Sequence, residues 1–469
     1  MSTDRFDIAV IGAGSGGLSV AAAAAQFGQR VVLFERAEMG GDCLNSGCVP
    51  SKALLAAAKH AEAMRKASRF GITAVEPDVD YTAVMAHVQR AIAAIAPNDS
   101  QQRFEGLGVN VIRANARFTG PAEVEAAGQR FTARRFVIAT GSRPAIPPIP
   151  GLGDVPFLTN ETLFRNTVLP EHLLIIGAGP VGLEMAQAHA RLGARVSVVE
   201  AGTPLARGDA ELGPQLLDQL RSEGIRILSG QQIRRVDAAA GRIIMDLGNG
   251  ETLSGSHLLV AAGRSPNVEG LGLEAAGIAA TPQGIPVDRA CRTSNRRIYA
   301  IGDVAGGRFT HEAGHQAGVV IRHVLFNLAG RHAAIPRVIY TDPEFAEAGL
   351  TEAEALARHG PAVKVLRWPF HDNDRAQAEA APAGMVKIMT GRGGRILGAA
   401  ILAPGAGELI QPWILAMAQG LKASAMIAPV LPYPTRGEAG KRAALTYYAS
   451  LASNPLLRRI IKAIGVITR

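Results

Sequence analysis

The chain has 469 residues, 48 % of them hydrophobic and 53 of them glycine, with three cysteines and a formal charge of +9. That length accommodates two to four domains with real cores. So few cysteines exclude a disulfide-stapled secreted fold and fit a reducing compartment. A basic balance admits nucleic acid or an anionic membrane as partner, but the bases are scattered arginines without interleaved aromatics, so nucleic acid is not expected.

Met1 to Asp7 carries no apolar signal segment, and no apolar run reaches the roughly 18 residues of a membrane span, so a cytoplasmic location is expected. Phe6 to Ile11 reads as a short strand, followed by Gly12-Ala13-Gly14-Ser15-Gly16-Gly17 and an alanine-rich helix. Val31 to Phe34 is the next strand, and Glu35 ends it. Strand, G-x-G-x-x-G, helix, strand, acid is the order that dinucleotide binding requires. Gly12 permits the tight turn, Gly14 lets backbone approach a pyrophosphate, and Gly17 lets helix and strand pack closely. The helix N-terminus faces the phosphates. Glu35 is suited to accept from ribose hydroxyls, and Arg36 beside it is a further cofactor-binding candidate.

Two of the three cysteines follow in Gly40-Gly41-Asp42-Cys43-Leu44-Asn45-Ser46-Gly47-Cys48-Val49-Pro50-Ser51-Lys52. A glycine-rich bend can bring two such sulfurs to bonding distance. Pro50 suits the first turn of a helix, read here from Ser51 to Met64, so Cys48 sits near a helix N-terminus that favours its thiolate. Lys52 adds a cation one turn on. A reactive pair is the expectation. A structural pair, or part of a zinc site, remains the alternative, although no second Cys or His pair lies near enough to complete four ligands.

GGDCLNSGCVPSK closely resembles the redox-active motif of the flavoprotein disulfide reductases, the family of dihydrolipoamide dehydrogenase and mercuric reductase. The resemblance implies an α/β fold with two Rossmann-like nucleotide-binding domains, for FAD and NAD(P), and a C-terminal α+β dimerisation domain. It implies that Cys43 exchanges with substrate, while Cys48 lies against the flavin and forms a charge-transfer complex. Gly41 and Lys52 belong to the same cofactor-facing motif. Val137 to Pro144, with Thr140 and Gly141, resembles the family's A-T-G stretch and precedes a proline-rich linker from Pro147 to Pro156.

The glycine unit then repeats. Leu173 to Ile176, Gly177-Ala178-Gly179-Pro180-Val181-Gly182, a helix, Val196 to Val199 and Glu200 restate it at a constant offset of 165, pairing Gly12 with Gly177, Gly28 with Gly193 and Glu35 with Glu200. Two nucleotide sites imply two nucleotides, and FAD plus NAD(H) or NADP(H) is the economical pairing. A carboxylate at Glu200 welcomes a 2′-hydroxyl and repels a 2′-phosphate, which favours NAD(H), while Arg207 keeps NADP(H) open. Glu184 aligns with the family's glutamate that pairs with the motif lysine, so an ion pair with Lys52 is expected.

Ala262 to Asn267, with Gly263 and Arg264, resembles the crossover back into the FAD domain. Tyr299-Ala300-Ile301-Gly302-Asp303 resembles the signature whose aspartate holds the ribityl chain. A helix from about His311 would point its N-terminus at the flavin. His311-Glu312-Ala313-Gly314-His315 also fits H-E-x-x-H, but it falls on that flavin-capping helix, so no metal site is expected. Cys291 reads as a packed strand residue.

From Ile335 the pattern changes. Val338 to Glu344 resembles the start of the dimerisation domain, with strands near Val363–Trp368, Gly384–Met389 and Ile396–Leu402 and helices near Glu408–Gln419 and Glu438–Ser450. The resemblance implies a homodimer in which this domain completes the partner's active site. The expected division is 1–150 with 262–332 for FAD, 151–261 for NAD(P), 335–453 for dimerisation, and a tail at 454–469.

In Pro432-Tyr433-Pro434-Thr435-Arg436-Gly437-Glu438 the chain departs from dihydrolipoamide dehydrogenase, which has a histidine acid/base where Tyr433 stands. A phenol of pKa near 10 is a poor base at neutral pH. Mercuric reductase carries tyrosine there, but also a C-terminal cysteine pair that this chain lacks. Tyr433 and Glu438 are the candidates from this stretch.

Asn454 to Ile464 has a helix start, an apolar face, three bases and no acid. That is the composition of an interfacial helix, so the tail either contacts a membrane surface or docks onto the protein body. The expected activity runs from nicotinamide through flavin to the Cys43–Cys48 disulfide and on to a small disulfide, a metal ion or a redox protein. The alternatives are a flavin-only diaphorase or quinone reductase, and a membrane-surface module that keeps a vestigial enzyme fold.

Overall fold

The computed structural model describes residues 5–328, 330, 333–449 and 454–467. The chain divides into two compact units. The first holds 1–66, 74–202 and 224–332; the second holds 67–73, 203–223 and 333–469.

The first unit contains a mixed sheet with a parallel core and a fully parallel sheet. In one, strands run in the order Asn110–Ile112, Val31–Phe34, Arg5–Ile11, Gln129–Ile138, with Ile298–Ala300 also parallel to Gln129–Ile138. Glu123–Ala126 and Ala116–Gly120 extend it in antiparallel fashion. Arg5–Ile11 and Val31–Phe34 are buried along almost their whole length, as unbroken apolar runs in a sheet covered on both faces should be. The second sheet orders Arg226–Ser229, Arg195–Glu200, His172–Ile176, His257–Val260, all parallel.

The 165-residue repeat survives in detail. Helix Ser15–Gln26 and helix Pro180–Arg191 each have 12 residues and are related by that offset. Ser142–Pro144, in the stretch read from the sequence as closing the first segment, and Arg264–Pro266, in the one read as the crossover back into the first domain, pair with each other as a two-stranded ribbon.

The second unit is built on a five-stranded antiparallel sheet, ordered Arg337–Ile339, Glu344–Gly349, Ile396–Ala403, Met385–Thr390, Lys364–Pro369. Its core gathers Phe370, Ile388, Ile401, Trp413 and Ala443.

Several expected elements shift. The expected helix Glu408–Gln419 is two helices, Ala406–Leu409 and Gln411–Ala418, because Pro412 occupies the first turn of a new helix and supplies no N–H to continue the old one. The expected Glu438–Ser450 helix spans Glu438–Thr446, and Ser450 lies outside the described residues, as do residues 451–453, 468 and 469. Cys291 is buried but belongs to no strand. It sits in a turn at φ 63°, with its N–H donated to the Asp288 carbonyl.

Candidate active site

Each glycine turn is forced by backbone crowding. Gly12 has φ +106°, and a Cβ there would stand 2.4 Å from the Ala139 carbonyl oxygen; Gly177 has φ +105° and meets the Ala261 oxygen at the same distance. A Cβ on Gly17 would lie 1.9 Å from the Gly12 oxygen, and one on Gly182 2.0 Å from the Gly177 oxygen. Only glycine fits at these four positions.

Gly14 and Gly179 differ, since a Cβ at either would meet no atom within 4 Å. Each is the N-cap of a helix whose first turn carries no acid, and glycine brings no side chain to bond the helix's N–H groups. Open space beside unpaired helical N–H groups is the cradle a pyrophosphate fills, so both turns fit a dinucleotide. Glu35 accepts the N–H groups of Ala13 and Ala37, each at 2.7 Å. Glu200 accepts those of Ala178 and Gly202, each at 2.9 Å, again at the 165 offset. Each acid thus splints its own glycine turn. Arg36 is exposed beside the first of them.

The redox loop is packed against the first turn. Gly40 and Gly41 have φ 86° and 60°; the Gly40 N–H reaches the Ala13 carbonyl at 3.0 Å, and a Cβ on Gly41 would stand 2.7 Å from Gly14 Cα. The helix that follows starts at Cys48 itself and runs to Arg65, three residues earlier than the sequence suggests. Both Cys43 and Cys48 are free thiols. Cys48 Sγ lies 3.2 Å from Thr310 Oγ1, and Thr310 is the first residue of helix Thr310–Phe326. Two helix N-termini therefore converge on one sulfur, each presenting partial positive charge.

The Cys48 pKa falls to about 6, first because the Cys43 thiol donates to its sulfur. Burial opposes the fall, while the Thr310 hydroxyl and the Lys52 charge assist it and Asp42 resists. Cys43, bonded to Cys48 and partly buried, is pushed the other way. Cys48 is the thiolate of the pair and Cys43 keeps the proton.

Lys52 Nζ is 2.9 Å from Glu184 Oε2, with Glu184 buried. Asp42 accepts from Asn160 Nδ2 at 2.9 Å and pairs with Arg264 Nη2 at 2.5 Å. Arg264 also donates to Ser142 Oγ at 2.7 Å, and Ser142 in turn donates to Asp303. The guanidinium, proposed from the sequence for the cofactor, thus braces the redox loop against Asp303. Thr140 Oγ1 donates to the Asn267 carbonyl at 2.8 Å, and Gly141 (φ 66°) accepts the Asn267 N–H. Gly263 (φ 136°) accepts the Ala145 N–H, and Gly302 (φ 72°) donates to Gln316 Oε1 at 2.7 Å. His311 stacks on Phe309, with ring centroids 5.2 Å apart. Glu312 accepts the N–H of Arg308, which precedes the helix, at 2.9 Å. Among the described residues no group of three or more His, Cys, Asp or Glu side chains could hold a metal ion.

Tyr433 and Glu438 lie in the second unit. The Tyr433 hydroxyl donates to Asp374 Oδ2 at 2.8 Å, which holds its pKa above the ordinary phenol value. Glu438 pairs with Arg442 at 3.1 Å. A cavity of about 240 Å³ is lined by Trp368, Asp372, Asn373, Asp374, Glu438 and Arg442. Sequence reasoning missed Thr310, Asp42 and Asp374. Asp42 lay inside the quoted motif; the other two carry no local signal and reach their partners only through the fold.

A family model described as pyridine nucleotide-disulphide oxidoreductase matches residues 6–318, and that family's dimerisation domain matches residues 335–444. The chain is 37 % identical to a mercuric reductase of Acidithiobacillus ferrooxidans, covering 94 % of this chain and 83 % of that one. It is 35 % identical to a dihydrolipoyl dehydrogenase of Thermus scotoductus, covering 92 % and 95 %. Among solved structures it resembles the Cu(II) complex of the HOCl-induced flavoprotein disulfide reductase RclA from Escherichia coli, with a TM-score of 0.83, 26 % identity and coverage of 92 % and 98 %. These matches span nearly the whole chain and do not favour a flavin-only quinone reductase or a vestigial fold. With a cysteine pair beside two dinucleotide cradles, the chain belongs to the FAD-dependent, NAD(P)H-linked pyridine nucleotide-disulphide oxidoreductase family.

Proposed function

We propose that this chain, as a homodimer, uses NADH to reduce the Cys43–Cys48 pair and delivers the two electrons to a soft, thiophilic metal ion. The observation that carries this reading is the Tyr433 hydroxyl, which donates to Asp374 and is held above the ordinary phenol pKa. Exchange with a dithiol such as dihydrolipoamide needs a group that takes and returns a proton near neutral pH, and a positioned base contributes roughly 10²–10⁴-fold. Tyr433 does not supply one. Transfer to a metal ion needs no such group: a soft ion displaces the Cys43 proton to water as it binds both sulfurs, and the sulfurs then close to a disulfide as the ion takes up the electron pair. The mercuric reductase relative and the Cu(II) complex of the structural neighbour support this acceptor class.

FAD held at the Gly12–Gly17 turn, Glu35 and Asp303 would supply a two-electron relay between nicotinamide and sulfur. Around it, Lys52 stays beside the reactive pair because Glu184 anchors it, and it adds positive charge that favours the Cys48 thiolate. Cys43 is the sulfur left to meet the acceptor. The third cysteine, Cys291, is buried with its pKa raised to about 12, so the ion must reach Cys43 without a protein thiol relay. Glu200, fixed at its strand end by two N–H groups, supports NADH over NADPH by repelling a 2′-phosphate.

The test is anaerobic NADH turnover with Hg²⁺ in excess small thiol, compared with lipoamide. Metal-dependent turnover should exceed lipoamide turnover at least a hundredfold and vanish in Cys43→Ser. Equal or faster turnover with lipoamide would overturn the acceptor assignment.

A further inference from the structure

The family's dimerisation domain matches only to residue 444, yet the chain continues into a thirteen-residue helix, Pro455–Ile467. Its start is encoded locally. The Asn454 side chain accepts the N–H groups of Leu456 and Leu457, and Pro455 fills the first turn. Along the helix Leu456, Ile460, Ile461 and Ile464 are 66 %, 47 %, 60 % and 53 % exposed. At about 100° per residue, these four and Leu457 occupy an arc of roughly 140°. Arg458, Arg459 and Lys462 share an arc of roughly 100° on the opposite side, and no acid interrupts them.

We infer that Pro455–Ile467 is an interfacial anchor that lays the enzyme on an anionic lipid surface. Charge selects this occupant. The whole chain carries +9, so a second copy offers this basic helix like charge, whereas anionic headgroups offer the opposite sign. Four exposed aliphatic side chains without an aromatic suit acyl chains and give nucleic acid nothing to stack on. Length decides how it binds. Thirteen residues span about 20 Å, short of the ~30 Å hydrocarbon core, so the helix lies on the surface and does not cross it. Among the described residues no helix is long and apolar enough to cross a membrane. Its apolar arc enters the headgroup boundary while the long arginine and lysine stems keep their charges among the phosphates.

The experiment is flotation of the flavin-loaded full chain with vesicles of mixed phosphatidylcholine and phosphatidylglycerol, and with pure phosphatidylcholine. The full chain should float with the mixed vesicles and not with the pure ones. Each base near an anionic surface contributes about fivefold, so the triple variant R458E/R459E/K462E should bind at least a hundredfold more weakly. Ile461→Asp, which leaves the bases in place, should also lose binding. Deleting residues 454–469 should abolish flotation while preserving flavin content and NADH turnover, which separates loss of the anchor from loss of the fold. Equal flotation of the full and truncated chains, or no preference for phosphatidylglycerol, would overturn the inference. So would conversion of a dimer to a monomer on truncation, seen by light scattering, which would give the apolar arc to a second copy.

Discussion

Thr310 offers a sharp test of how the reactive sulfur is tuned. Its hydroxyl stands 3.2 Å from Cys48 Sγ and is one of the groups that bring the thiol down to about 6. A hydrogen bond to a charged group contributes about 1.5–3 kcal/mol; sulfur is a weak acceptor, so the lower end applies. At about 1.4 kcal/mol per pKa unit, Thr310→Val should raise the Cys48 pKa by about one unit. Because Cys43 and Cys48 titrate as a pair, a pH midpoint in the native protein reports both thiols together. The measurement therefore belongs in a Cys43→Ser background, where a hydroxyl still faces Cys48 and only one thiol titrates. The readout is the pH midpoint of the long-wavelength thiolate-to-flavin absorption. Thr310→Ser keeps the donor and should keep the midpoint. A Thr310→Val midpoint unchanged within about 0.3 units, a shift worth less than half a kcal/mol, would refute the assignment and leave Lys52 and the helix ends as the only remote causes.

Gly182→Ala would place a Cβ 2.0 Å from the Gly177 oxygen, so it should raise the KM for NADH at least tenfold while the purified protein stays yellow. Gly17→Ala, with a 1.9 Å clash in the first turn, should instead lower flavin content, read from the absorbance ratio. Lys387, 2 % exposed, holds Asp209, Glu211 and Glu352 at 2.7–2.9 Å. Lys387→Met leaves the buried Asp209 without its cation, while Glu211 and Glu352 keep Arg367 at 2.9 Å, and should cost about 3 kcal/mol in the second unit, measured by urea unfolding. Burial alone would lower the Lys387 pKa, but hydrogen bonds to Asp209, Glu352 and Glu211 raise it on balance. Its stabilisation is therefore complete below the unfolded value near 10.4 and fades as pH climbs above it toward the folded value, a loss that Lys387→Met should not show. Tyr433→His should raise lipoamide turnover by about tenfold or more by restoring a base that titrates near neutrality.

The glycine turns and their acids were legible because their causes are local. A left-handed φ at Gly12 and a helix packed on Gly17 are needed wherever this unit occurs, and the second copy at 177 and 182 restates them with nearly the same clash distances. Cys291 misled because a small apolar neighbourhood looks the same in a strand or a turn; its φ of 63° is set by contacts the residue type does not encode. Lys387 carried a signal that went unused. It stands between Val386 and Ile388 in a strand buried at nearly every position, where a lysine can persist only with acidic partners. Two of those partners, Asp209 and Glu211, lie in residues 203–223, which follow Glu200 in the chain and belong to the second unit.

The redox motif marks the boundary between what is local and what is not. A peptide of residues 40–65 would contain both cysteines, Lys52 and the potential helix start at Cys48. It would not contain Thr310, 262 residues away, nor the Arg264 that pairs with Asp42. Asp42 pushes the Cys48 pKa up, so an isolated motif would keep the opposing charge and lose the groups that answer it. The largest downward cause, the bond from the Cys43 thiol, depends on a bend with two consecutive left-handed glycines clamped to the Gly12–Gly17 turn. The residues therefore identify a cysteine pair, and only the folded glycine turn beneath it makes Cys48 the thiolate and leaves the proton on Cys43.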